Sequence, residues 1–162
     1  MDLKFKYQTK PVDVWQVFMY NVYSSFTGIV NVMCIISSFI LLVSLWKTAP
    51  DWMKYVLLLF CALFTVIQPL VLYGRAKKQL AENNPEVEIS FNDKGIHIES
   101  EGKAQSKKWN DVFYAIVKPT LIIIYTDNQH GYIISNRVTG SSRNELVKIL
   151  KDNMKNRVKG GK

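Results

Sequence analysis

Two uncharged apolar runs, Phe26 to Trp46 and Tyr55 to Tyr73, dominate the hydrophobic pattern of the chain. Each is about the length a helix needs to cross a bilayer core, roughly 20 residues or ~30 Å. After Tyr73 the pattern changes: charged residues become frequent and apolar ones alternate in short runs between turn residues. The pattern predicts a transmembrane α-hairpin over residues 26–73, with spans at 26–46 and 55–73. It carries a small soluble α+β domain on one side.

The flanks refine this picture. Leu3 to Tyr7 alternate as Leu-Lys-Phe-Lys-Tyr, the period of a half-buried strand. Pro11 suits a helix start, and Val12 to Tyr23 is aromatic enough for a membrane interface. Residues 1–25 thus read as a strand and an interfacial lead-in. No small-residue cleavage site follows the first run, so that helix is expected to stay as an anchor. Asn31 in the first span is costly against acyl chains and is expected to face the second span or a second copy. Thr48 and Asp51 around Pro50 resemble an N-cap for the second span, and Trp46, Trp52 and Tyr55 form an aromatic belt. Gln68-Pro69 predicts a kink. Lys4, Lys6 and Lys10 precede the hairpin, and Arg75, Lys77 and Lys78 follow it. The positive-inside rule then gives a multi-pass cell-membrane protein with both termini cytoplasmic.

Residues 74–84 continue the second helix as a juxtamembrane extension, which Asn83-Asn84-Pro85 stops. Residues 85–158 form the cytoplasmic domain. Val87 to Phe91, Ile96 to Glu99, Ala104 to Trp109, Val112 to Val117, Leu121 to Tyr125 and Tyr132 to Ile134 read as strands. Turns fall at Asn92-Asp93-Lys94-Gly95, Glu101-Gly102 and Asp127-Asn128-Gln129. Ser142 with Glu145 has capping-box spacing, opening a helix that shows one apolar face at Leu146, Ile149, Leu150 and Met154. Residues 159–162 are expected to be a disordered tail. About six short strands and one C-terminal helix give a pleckstrin-homology-like plan: a bent antiparallel sheet plugged by the helix. Leu3 to Tyr7 is a candidate seventh strand.

Two stretches carry a family resemblance: Ile89-Ser90-Phe91-Asn92-Asp93-Lys94-Gly95-Ile96 and Lys108-Trp109-Asn110-Asp111-Val112. An apolar strand pair and a terminal helix starting near Ser141 follow them. The chain resembles the YcxB-like bacterial membrane proteins, and the resemblance covers most of its length. It implies a strand-like lead, a two-helix hairpin and a small cytoplasmic domain, with no catalytic residue to carry over. Such families often end the last strand with a Pro-Lys-like step; here that place is Asn136-Arg137-Val138-Thr139. In Trp109-Asn110-Asp111-Val112 we expect a buried indole, followed by Asn and Asp side chains that hydrogen-bond the backbone.

Charge and composition narrow the function. The formal net charge is +8, and from Gly74 onward 16 Lys+Arg face 10 Asp+Glu. A basic domain tied to a bilayer points to anionic headgroups rather than nucleic acid, for which no recognition motif is present. Cys34 and Cys61 lie inside the apolar runs, where small buried side chains are the ordinary reading. His97 and His130 lack a third ligand nearby, so no metal site, cofactor or catalytic constellation is expected. The candidate lipid- or partner-binding residues are the juxtamembrane Arg75, Lys77 and Lys78 and the hairpin Lys103, Lys107 and Lys108. Lysine also serves to protect exposed edge strands, which is the plainer reading of the second group. The function these features favour is a non-enzymatic membrane adaptor whose cytoplasmic domain binds a protein partner or anionic lipid. One version is an immunity or resistance protein. The alternative is a subunit of an oligomeric transporter or channel, with Asn31, Gln68 and Pro69 on a polar path. Homo-oligomerisation stays open.

Overall fold

A computed structural model describes residues 2–127 and 130–161. The chain divides into two compact units: one built from both chain ends, up to Asp13 and from Asn83 onward, the other running Val14–Glu82.

In the helical unit, α1 (Pro11–Tyr23) leads through a short turn into α2 (Phe26–Ser44). The turn is tight because Gly28 approaches the end of α1; a Cβ there would meet the Val22 carbonyl at 2.4 Å. A loop then leads to α3 (Asp51–Ala62), a π-helical turn (Leu63–Ile67) and α4 (Gln68–Glu82), which together form one continuous helix. Next to Gln68-Pro69, where a kink is expected, the helix carries this π-turn, which ends at Ile67. Proline offers no N–H to the preceding turn, and the ladder widens so that Gln68 N–H donates five residues back, to Leu63 O. Phe26–Ser44 and Asp51–Glu82 are both long and apolar enough to cross a membrane. The Asn31 side chain is buried and donates to Gln68 Oε1 at 3.1 Å, so its partner lies in the second long helix. Thr48 does not cap that helix: Pro50 holds the N-cap position without a side-chain bond, and Asp51 instead receives Lys54 Nζ at 2.9 Å.

The other unit contains two four-stranded sheets. The first has the order β1 (Leu3–Gln8), β2 (Glu86–Asn92), β3 (Gly95–Ser100), β4 (Lys103–Lys108), all antiparallel. The strand preceding the helices therefore joins the sheet that follows them, with Phe5 opposite Ile89 and Tyr7 opposite Val87. The second sheet has the order β7 (Gly131–Ser135), β6 (Leu121–Tyr125), β5 (Tyr114–Val117), β8 (Val158–Gly160). One core joins both sheets to α6 (Arg143–Met154): Phe5, Ile89, Phe91, Ile96 and Ile98 meet Ala115, Ile122, Ile124 and Ile134, with Leu146, Leu150 and Met154 from the helix. Alternation supplies these residues from β1, β2, β3, β5, β6 and β7, as period two requires, whereas β4 lends none to the core.

Several expectations give way here. The tail is ordered as far as it is described: β8 pairs in parallel with β5, and Lys159 Nζ lies 5.3 Å from the Tyr114 ring. Among the described residues there are eight strands, one of them after the C-terminal helix. The predicted strand from Val112 begins only at Tyr114, because Trp109–Asp111 is a 3-10 turn. That turn is not held by Asn110 and Asp111 side chains. The Arg157 guanidinium donates to Trp109 O at 2.9 Å, Asn110 O at 3.0 Å and Val112 O at 2.5 Å. The Ser142–Glu145 capping box does not form: Ser142 makes no side-chain cap bond, and Glu145 Oε1 is buried without a hydrogen-bond partner among the described residues. A short helix α5 (Asn136–Thr139) intervenes before α6. Its Arg137 reaches the buried Asp13 carboxylate at 3.1 Å, which also accepts from Lys10 N–H at the start of α1. In the Asp127-Asn128-Gln129 turn, Asn128 and Gln129 lie outside the described residues.

Candidate functional site

Strand alternation decides which basic residues act together. Lys107 stands opposite the buried Ile96, so its side chain belongs to the inner face of the first sheet. Its ammonium donates to Thr126 O at 3.1 Å and lies 3.8 Å from the Asp127 carboxylate. Lys107 is therefore committed within the fold. Lys103 is exposed beside the Glu101-Gly102 turn, and Lys108 is exposed at the other end of the strand, on the outer face. Lys107 and Lys108 border one dent although successive residues of a strand face opposite sides, and Lys103 lies at the far end of the strand. Arg75, Lys77 and Lys78 are exposed on α4, in the helical unit.

What the sheet does assemble around Lys108 is a dent of about 290 Å³, bordered also by Asn92, Lys94, Gly95, Ile96, His97, Ser106 and Lys107. The turn between β2 and β3 shapes it. Asn92 Oδ1 accepts from the backbone N–H groups of Lys94 and Gly95, each at 2.9 Å. Glycine is required at 95 because a Cβ would meet Lys107 O at 2.0 Å. On the neighbouring strand Ser106 lies opposite His97, and Oγ and Nδ1 are 2.7 Å apart. Beneath the turn, Trp109 Nε1 donates to Asn92 O at 2.9 Å, and its ring stacks on Phe91 at 6.4 Å. The dent thus presents ammonium, imidazole and hydroxyl groups from a rigid base, a donor-rich set suited to an anionic group. Sequence reasoning found Lys108 but missed Lys94, His97 and Ser106. The Asn-Asp-Lys-Gly turn was a readable signal for the first; pairing His97 with Ser106 needs the register.

The opposite end of the same face is acidic. Glu86, Glu88, Glu99 and Glu101 border a second dent of about 400 Å³ with Lys6, Ser100 and Gly102. Two ion pairs cross it or flank it, Lys4–Glu88 at 2.5 Å and Lys6–Glu86 at 3.1 Å. The bond to Glu88 raises the pKa of Lys4. The outer face of the first sheet therefore runs from basic at the β2–β3 turn to acidic at the β3–β4 turn.

Buried phenols belong to the core rather than to this face. Burial pushes the Tyr7 hydroxyl well above its ordinary value, with Tyr132 and Asp13 adding to the effect. Burial also raises Tyr125, stacked on Tyr114 at 4.4 Å, and Tyr132. Among the described residues no group of three His, Cys, Asp or Glu could hold a metal ion.

No curated protein matches the chain, and no solved structure does. A family model does match, over residues 91–150. That segment runs from the end of β2 to Leu150 on the buried face of α6, and holds the basic turn, the Trp109 turn and the central strands. The family is described as YcxB-like protein, and residues 91–150 of this chain are similar to its domain.

Proposed function

We propose that the chain is a non-enzymatic integral membrane adaptor whose cytoplasmic, pleckstrin-homology-like domain docks a protein partner. The observation that carries this reading is the pairing of β1 with β2. The helical segment leaves one folded domain and returns to it, which favours two crossings and both termini on one side. Arg75, Lys77 and Lys78, which follow the apolar stretch of the second long helix, favour the cytoplasmic side. Two sheets around one core with a C-terminal helix support the pleckstrin-like reading, although β8 after that helix departs from it.

A partner protein suits the outer face better than a bilayer surface does. A uniformly anionic surface would meet Lys94 and Lys108 favourably but be repelled by Glu99 and Glu101, since Glu86 and Glu88 are offset by Lys6 and Lys4; a protein with the opposite polarity complements both ends. The transporter or channel alternative loses support, because Asn31 and Gln68 satisfy each other within one chain.

The test is purification of the full chain from native membranes in mild detergent after gentle crosslinking. A stoichiometric protein should be captured by the wild type and lost with Lys94→Glu/Lys108→Glu, while Lys103→Glu keeps it. Capture unaffected by the double reversal would exclude this face.

A further inference from the structure

The helical unit contains a groove of about 400 Å³ bordered by Val22, Leu63, Phe64, Ile67, Gln68, Val71, Leu72 and Arg75. We propose that it holds one anionic phospholipid, with an acyl chain along Leu63, Ile67 and Val71 and the phosphate on Arg75. This rests on the membrane-anchor reading and gives that anchor a specific ligand.

The spacing supports the assignment. Leu63, Ile67, Val71 and Arg75 recur every fourth residue, so they form one stripe along the helix. From Leu63 to Arg75 the helix rises about 18 Å. The stripe is apolar for two turns and then ends in a guanidinium, the same order a phospholipid presents from chain to headgroup. Lys78 follows Arg75 at i+3 and adds a second cation at that end.

The groove is open. Leu63, Ile67 and Val71 are exposed large hydrophobic side chains among the described residues. The π-turn and the end of α1 shape its walls: Tyr23 OH donates to Phe64 O at 3.4 Å, and Val22 forms the opposite rim. Arg75 has no hydrogen-bond or ion-pair partner among the described residues, unlike Lys4, Lys6, Lys54 and Lys107. Its planar fork matches a phosphate bidentately. Two cations at the headgroup end favour a lipid with net negative charge over a zwitterionic one.

Native mass spectrometry of the intact chain, extracted in mild detergent from membranes containing both lipid classes, tests this. The wild type should retain one phospholipid, enriched in anionic headgroups. Arg75→Gln removes the phosphate contact and Val71→Trp fills the groove; each should lower the bound fraction about tenfold. Lys47→Gln, at the far end of the helices, should retain lipid like the wild type. Equal retention by all four proteins, or equal retention of neutral and anionic lipid, would overturn the proposal. So would displacement of the lipid by excess inorganic phosphate, which would reassign the site to a free anion, or photocrosslinking from position 71 to protein instead of lipid. Alkaline carbonate extraction separates the two readings. Release of the wild type from membranes would sink the anchor and this site together; retention without lipid selectivity would sink the site alone.

Discussion

The two units solve opposite problems with the same kinds of side chain. In the sheet unit, Phe91, Ile89 and Ile124 are each 0% exposed, and polar residues occupy the outer face. In the helical unit the polarity is inverted: Phe39 is 60% exposed and Ile36 53%, while Asn31 is 5% exposed. A phenylalanine therefore has a different energetic meaning in each place. Phe91 is held by protein, with Phe5 edge-on at 6.2 Å and Trp109 stacked at 6.4 Å. Phe39 has no such enclosure, and its stability depends on what surrounds the chain.

That difference gives the largest expected effect. Phe91→Ala should cost the sheet unit about 3–5 kcal/mol, the range for emptying a buried aromatic site. Phe39→Ala should leave its thermal unfolding unchanged, whereas Phe39→Asp should impair membrane insertion by roughly 2.5–3.5 kcal/mol. Unfolding in detergent measures the first two and an insertion assay the third. If Phe39→Asp inserts like the wild type, the inverted polarity is not a response to lipid.

A second test breaks the sheet unit through protonation. The buried Tyr7 phenol has a pKa raised above its ordinary value. The folded state thus retains a proton that the unfolded chain releases, so stability is full below about pH 10 and falls as pH rises through and above it. Tyr7→Phe removes this contribution and should flatten the alkaline limb of the stability curve. An unchanged alkaline limb would mean that other groups govern it.

Arg157 tests the contribution of the chain end. It is the clamp on the Trp109 turn, making charged hydrogen bonds to three carbonyls. Arg157→Ala should cost about 2–3 kcal/mol, and Arg157→Lys should recover only part of it, since an ammonium cannot reproduce the fork. Full recovery by lysine would reduce the clamp to simple charge.

These residues also mark how far the sequence can be read. The apolar runs, the helix carried beyond Tyr73, the Asn92 turn and the alternating strands are local patterns, and each has a matching element. The separation of Lys107 from Lys108 was legible too, since neighbours on a strand face opposite sides. What was not legible depends on distant partners. Gly160 and Gly161 have the composition of a loose end, yet a parallel strand forms because β5 offers an open edge. Glu145 has capping-box spacing, but the chain enters α6 through Gly140–Ser142, a 3-10 turn, and Ser142 makes no cap bond. Arg157 lies 48 positions from Trp109, and no local signal announces that clamp.

The smallest effect belongs to the polar pair inside the helical unit. Asn31 Nδ2 and Gln68 Oε1 join α2 to α4 next to Pro69, whose carbonyl accepts from Trp15 Nε1 at 2.9 Å. An apolar surrounding strengthens such a bond. Measured interhelical bonds in lipid are modest, because the separated helices also find partners, so Asn31→Leu should cost about 0.6–2 kcal/mol. The double variant Asn31→Leu/Gln68→Leu should cost less than the sum of the singles, since leaving one amide without its partner is the larger penalty. A double-mutant cycle in detergent measures this coupling directly. Strict additivity would mean that the two amides do not depend on each other. Asn31 would then be free to serve an oligomeric contact, and the inverted polarity of this unit would extend beyond a single chain.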